Sequence, residues 1–195
     1  GLIELPCTSG DQLIYVDTQK EPTTEGIDNF VRQVSGDYNL PCAVVGIGGG
    51  STLDSAKAVS NLLTNEGCAS DYQGWDLLRF PGVYKIGIPT ISGTGAETTR
   101  TCVITNKAND LKLGMNSEYT VFDQIILDPD LTATVPRDQY FFTGMDAWIH
   151  CIEALSGSYR NPIGDAFSRQ AIELCREVFS DSDMMNEKNR SNLMV

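Results

Sequence analysis

The stretch "CAVVGIGGGSTLD", residues 42–54, constrains this chain more than any other. An apolar run ends in glycines, and helix-forming residues begin at once. Such a run suits a strand covered on both faces. The glycines let backbone approach a neighbour or a ligand closely, and Ser51 is expected to cap the helix that follows. A strand feeding straight into a helix predicts an α/β fold with a mainly parallel sheet.

The first two-thirds of the chain repeats that alternation. Strands are expected at residues 13–16, in "CAVVGIGGG", in "VYKIGIPT", in "RTCVIT", at the start of "DLKLGMNSEYTVFDQIILDPDL" and at residues 124–128. One helix follows residue 21, with Ile27, Phe30, Val31 and Val34 at helical spacing and Gly36 as its stop. A second runs through "STLDSAKAVSNLLTNEG", with Leu53, Ala56, Val59, Leu62 and Leu63 inward and Gly67 ending it. After Pro136 the texture changes. "RDQYFFTGMDAWIHCIEALSG" and "PIGDAFSRQAIELCREVFS" read as amphipathic helices with no strand between or beyond them. Residues 1–134 are therefore expected to form a nucleotide-binding α/β domain and residues 135–195 an all-helical one. The final "NEKNRSNLMV" stops in an apolar-periodic pattern without a cap, so the chain is expected to be a piece of something longer.

A net charge of −12 argues against nucleic acid and anionic membrane surfaces as partners. No uncharged stretch reaches the roughly 18 residues of a spanning helix, so no membrane is expected. The six cysteines are scattered without a C-x-x-C pair, which predicts reduced, mostly buried thiols in a cytoplasmic protein. Cys151, beside the only histidine, is the exception worth watching.

An acidic chain must hold any anion by local devices. Gly48, Gly49, Gly50 and Ser51 sit where a helix N-terminus offers N–H groups and a positive dipole end to a phosphate. This is not the Rossmann fingerprint, since Ser51 replaces its third glycine and Glu66 ends a helix, not a strand. A purely structural turn remains the alternative. "PTISGTGAET" is expected to form a second strand-to-helix turn, whose Thr90, Ser92 and Thr94 suit a phosphate or a nicotinamide amide. Its alternative is a turn capping its own helix. Two such turns at the ends of neighbouring parallel strands lie where open α/β sheets bind ligands. Lys112 is a candidate cationic contact to the cofactor, or a solvated surface lysine.

Asp146 and His150, four residues apart in "TGMDAWIHCIE", share a helix face and suit one metal ion. A usual Zn²⁺ or Fe²⁺ site takes at least three protein ligands. Spacing alone leaves a packing histidine as the alternative.

Together, "GGGSTLDSAKAVS", "PTISGTGAETT", "LDPDLTATVP" and "GMDAWIHCIEALSG" resemble, in order and context, the iron-containing (group III) alcohol dehydrogenase family. "LTNEG", "YQGWDL" and "TVFDQIILDP" are similar to its 3-deoxy-manno-octulosonate (Kdo) 8-oxidase-like subgroup. The resemblance implies a dehydroquinate synthase-like fold, in which a Rossmann-like domain precedes an all-helical metal-binding domain. It implies NAD or NADP as cofactor and Fe²⁺ or Zn²⁺ held by Asp146 and His150, with two further histidines beyond this chain. It also places Asp54 on the cofactor side. The implied reaction passes a hydride from an alcohol, or the C8 hydroxyl of a Kdo-type sugar acid, to the nicotinamide, and the intact parent is expected to be a homodimer. A non-catalytic nucleotide-binding fragment and a dehydroquinate synthase-like lyase are the rival readings.

Overall fold

The structure is a computed structural model that describes residues 5–17, 21–37 and 40–195. Three strands, β1 (Ala43–Gly48), β3 (Tyr84–Pro89) and β6 (Gln124–Ile125), form an all-parallel sheet in the order β1-β3-β6. Beside it, β2 (Gly74–Trp75), β5 (Leu111–Asn116) and β4 (Thr101–Asn106) form a mixed sheet in the order β2-β5-β4. The parallel sheet matches the expectation from the apolar runs. The mixed sheet was not foreseen. Its β4–β5 pair is an antiparallel hairpin, with Asn106 opposite Leu111 and Asp110 at φ 53° closing the turn. Aspartate tolerates that left-handed conformation better than most residues.

Helix α1 (Thr24–Val34) is capped by Thr23, whose side chain accepts from the Gly26 N–H. Helix α2 (Gly50–Leu62) is the hub. Leu53 and Ala56 pack with Ala96 and Phe122 beside the parallel sheet. Ala58, Val59 and Leu62 pack with Ile27 of α1, Cys102 and Ile104 of β4 and Met115 of β5. Being covered on opposite sides fixes the helix in both directions. Gly46 lets it lie directly on β1, since a Cβ there would stand 2.8 Å from the Ala56 Cβ.

From Arg137 onward the described residues are helical: α3 (Arg137–Ser156), α4 (Pro162–Ser180) and α5 (Glu187–Met194). Asn161 caps α4 by accepting from the Ile163 and Gly164 N–H groups, and Pro162 occupies its first turn. Tyr140, Cys175, Val178, Met184 and Leu193 make this unit's core. Arg190 of α5 reaches back to the Pro129 carbonyl at 3.3 Å and to Asp130 at 3.1 Å.

Several expectations fail. Residues 13–16 form no strand, and Leu13 and Tyr15 are exposed. No strand edge takes up their N–H and C=O groups, and strand propensity without a partner leaves those groups to water. The strand expected at 124–128 shrinks to Gln124–Ile125. The thiols are not mostly buried: all six cysteines are free, but Cys7, Cys42 and Cys68 are exposed while only Cys102 and Cys175 are buried. The exposed three lie outside the helices and strands that make the core. Ser51 does not cap α2, as described below. No helix among the described residues is long and apolar enough to cross a membrane.

Candidate functional site

Strands β1 and β3 run in register from Ala43 opposite Tyr84 to Gly48 opposite Pro89. They therefore end together, and the two glycine-rich turns leave the same edge of the sheet. The Thr90 N–H donates to the Gly48 carbonyl at 3.0 Å, joining the turns at their start. Further out they stay in touch: a Cβ on Gly49 would meet Ile91 at 3.2 Å, and one on Gly50 would meet Thr94 at 3.2 Å.

The first turn leaves a helix end open. Gly49, not Ser51, is the N-cap of α2, and no side chain caps it. Ser51 lies inside the first turn, where its carbonyl accepts from Ser55 Oγ at 2.7 Å. The first N–H groups of a helix have no intrahelical partner. Here they are met by no side chain and no acidic residue of the first turn, which leaves the positive dipole end to an external anion.

The second turn does not open a helix, contrary to expectation. After Gly95 the chain makes one turn, with the Thr98 N–H and hydroxyl both on the Gly95 carbonyl, and runs on irregularly to β4. In a helix the Ala96 carbonyl would accept from the Arg100 N–H. It is taken instead by the Lys57 ammonium, at 2.5 Å. Ser92 is buried, and its hydroxyl has no protein partner. A buried hydroxyl left without a partner is costly. Ser92 and Gly93 also line a cavity of about 240 Å³ that reaches Ala147 of α3, Cys175 of α4 and Leu193 of α5.

Gly93, at φ +129°, sets the second turn against the helical unit. A Cβ on it would overlap the Thr143 carbonyl oxygen of α3 at 1.8 Å. Asp146 and His150 follow on that helix, about 4.5 and 10.5 Å further along its axis. Their Oδ1 and Nε2 atoms stand 3.8 Å apart, and both side chains are about half exposed, outside the core formed by Tyr140 and its neighbours. Two ligands of one ion at about 2.0–2.2 Å each span that gap with a small side-chain rotation. Among the described residues no group of three or more His, Cys, Asp or Glu converges, so at this place the described residues offer a metal the Asp146 and His150 pair.

Asp54 and Lys112 lie apart from the two turns. Asp54 stands beyond the first turn of α2 and accepts the Val103 N–H of β4 at 3.0 Å. Lys112, on β5, is held by Glu21 at 2.5 Å, so its ammonium already has a carboxylate. Burial pushes the Asp54 carboxyl up to about 6, against the lowering effects of the Val103 hydrogen bond and the Lys57 and Lys112 charges. A raised folded-state value means that the fold favours the protonated acid. That stabilisation is complete below the ordinary 3.8 and is lost as pH rises through about 6. Urea unfolding is therefore expected to show stability falling across this window, by at most ~1.4 kcal/mol per pH unit from this group. Asp54→Asn is expected to flatten the fall, and an unchanged slope would contradict the assignment.

Two residues with a clear place in this geometry were not singled out in the sequence. Lys57 was legible only as a lysine in a small-residue helix, and Gly93 as one glycine of several.

A dinucleotide fits these features: an uncapped helix end for its phosphates and an orphaned Ser92 hydroxyl for a polar group. The Asp146 and His150 donor set, one oxygen and one nitrogen, fits a divalent first-row metal.

The family description "iron-containing alcohol dehydrogenase" matches residues 8–129. The sulfoacetaldehyde reductase of Bilophila wadsworthia is 38% identical over 161 residues, covering 83% of this chain and 41% of that protein. The NAD-dependent methanol dehydrogenase of Bacillus methanolicus is 38% identical over 171 residues, covering 86% of this chain and 43% of that protein. A crystal structure of the sulfoacetaldehyde reductase from Bifidobacterium kashiwanohense in complex with NAD+ superposes with a TM-score of 0.82 at 26% identity, over 94% of this chain and 49% of the other. The chain thus spans less than half the length of these relatives.

Proposed function

We propose, for a chain that belongs to the iron-containing alcohol dehydrogenase family, that its two strand-end turns hold NAD and that Asp146 and His150 are two ligands of a catalytic metal. The reaction is hydride transfer between an alcohol or aldehyde and the nicotinamide. The observation that carries this reading is the joint exit of the two turns from one sheet edge, with the second pressed against the helix bearing Asp146 and His150. Residues 1–134 then serve as the nucleotide-binding domain and residues 135–195 as part of a metal-binding helical domain.

In this reading the Gly50 and Ser51 N–H groups bind the pyrophosphate, and the dipole of α2 offsets its charge in a chain of net charge −12. Gly48 and Gly49 keep the approach free of side chains. Thr90, Ser92 and Thr94 orient the nicotinamide end, with the orphaned Ser92 hydroxyl as its hydrogen-bond partner. A divalent ion, iron by family and zinc as the alternative, supplies Lewis acidity to the substrate hydroxyl when bound, and the nicotinamide supplies the hydride acceptor. Asp146 and His150 fix where that hydroxyl sits. With His150 given to the metal, no other imidazole in the chain is left to act as a base.

NAD is preferred to NADP because one compared protein is named as NAD-dependent and another has a crystal structure in complex with NAD+. Oxidation of a Kdo-type sugar acid at C8 is the finer substrate reading. It rests on the stretches "LTNEG", "YQGWDL" and "TVFDQIILDP" and is tested by Kdo-dependent reduction of NAD+ in a protein that completes the metal site. Homodimeric assembly is likewise part of the proposal.

Calorimetry of this chain with NAD+ tests the cofactor half. One binding site is expected, and Gly50→Asp, which puts a carboxylate where the phosphate belongs, is expected to weaken it at least about tenfold. Equal affinity in the variant would place the dinucleotide elsewhere.

A further inference from the structure

Lys57 carries a charge into the middle of the fold. Its side chain is fully buried on α2. Leaving an ammonium in such a place is costly unless its donors are met. They are met by the Ala96 carbonyl at 2.5 Å, the Thr99 carbonyl at 2.8 Å, the Thr99 hydroxyl at 3.1 Å and the Thr101 carbonyl at 3.0 Å. The Phe122 ring, 5.2 Å away, adds a favourable face to the cation. Ala96 and Thr99 lie in the irregular stretch that leads to β4, and Thr101 is the first residue of that strand. The irregular stretch has no ladder of its own, so its carbonyls would otherwise have to find water or other donors.

We infer that Lys57 is a positioning residue for the cofactor cradle, its ammonium pinning residues 96–101 to α2 and so fixing the second turn against the first. The two halves of the cradle thus hang on one helix: its N-terminus forms the first turn, and a lysine two turns on holds the second. The inference rests on the dinucleotide reading for its functional half. The pinning itself does not. Burial lowers the Lys57 pKa, against the raising effect of the nearby Asp54 charge.

The test pairs hydrogen exchange with NAD+ calorimetry on the wild-type chain and Lys57→Met. Exchange of amides 94–101 is expected to rise at least about tenfold more than that of β1 and β3, with NAD+ affinity falling at least about tenfold. A folded variant with wild-type protection and affinity overturns the inference. So does a uniform rise in exchange across the chain, which is what a merely structural residue gives. If the wild type fails to bind NAD+, the cofactor reading falls, and the exchange data still decide the pinning. Should Lys57→Met not fold, the wild-type ammonium resonance of Lys57 decides. It is expected to exchange slowly with water and to shift on NAD+ saturation, and fast exchange or an unmoved signal overturns the inference.

Discussion

Replacing Gly93 with alanine is expected to cost about 3–5 kcal/mol, a loss in the range reserved for severe steric errors. The added Cβ would lie 1.8 Å from the Thr143 carbonyl oxygen and 2.3 Å from its carbon, on a residue at φ +129°. Both obstructing atoms are helix backbone, which has no flexible end to swing aside. Relief requires either that α3 lift away from the turn or that the turn withdraw from α3. A fall in melting temperature on the order of 10 °C should follow. NAD+ affinity should fall with it, because the second turn loses its support. Gly95→Ala is the control. Its φ of +63° makes it strained too, but the nearest atom to its Cβ is Thr98 Oγ1 at 3.9 Å, so only the left-handed penalty of about 1–2 kcal/mol applies. Equal losses in the two variants would show that the close approach to α3 carries no weight.

His150→Ala is expected to remove metal binding from this chain. The wild type has two donors 3.8 Å apart and leaves the remaining positions of the ion to water, so its own affinity is expected to be weak. Losing the imidazole should lower that affinity by at least the 10–100-fold that loss of a supporting outer-shell group costs. Asp146→Asn keeps the shape and removes the charge, and should act in the same direction. Cobalt titration is the suitable measurement, since its absorption separates nitrogen and oxygen ligation from thiolate ligation. The distinction matters with Cys7, Cys42 and Cys68 exposed. Cobalt binding that survives His150→Ala, or that carries thiolate bands, would remove this pair from the proposed metal site. In a protein that completes the site, the same substitutions should abolish hydride transfer while leaving NAD+ binding intact.

The sequence was most readable where composition and geometry coincide. β1, its glycine turn and α2 could be placed because an apolar run that ends in glycines before helix-forming residues marks a strand, a tight exit and a helix. β1 is nonetheless an edge strand with Val45 half exposed, not a strand buried on both faces. The helices after Pro136 could be placed from periodicity and, for α4, from Asn161 and Pro162 at its start. The failures have local causes. Ser51 looked like a cap by residue type, but helical geometry begins at Gly50, leaving the end uncapped. "GAETT" looked like a helix start, but the carbonyls it needed are engaged by Lys57, a residue 39 positions away in the case of Ala96. The apolar residues 13–16 had strand propensity without a neighbour. Lys112 looked like a free cation because nothing in its own stretch announces Glu21. Each of these depends on contacts between distant segments, which spacing does not encode. The pairing of Asp146 with His150 was legible from the i, i+4 interval. That the Gly93 turn rests on the same helix was not.

Diffraction from crystals of this chain grown with NAD+ would locate the dinucleotide on the two turns or away from them. Pyrophosphate density is expected on the Gly50 and Ser51 N–H groups, with the nicotinamide end beside Thr90, Ser92 and Thr94, on the side facing Asp146 and His150. Dinucleotide density away from both turns, or an open α2 N-terminus in crystals saturated with NAD+, would contradict this placement.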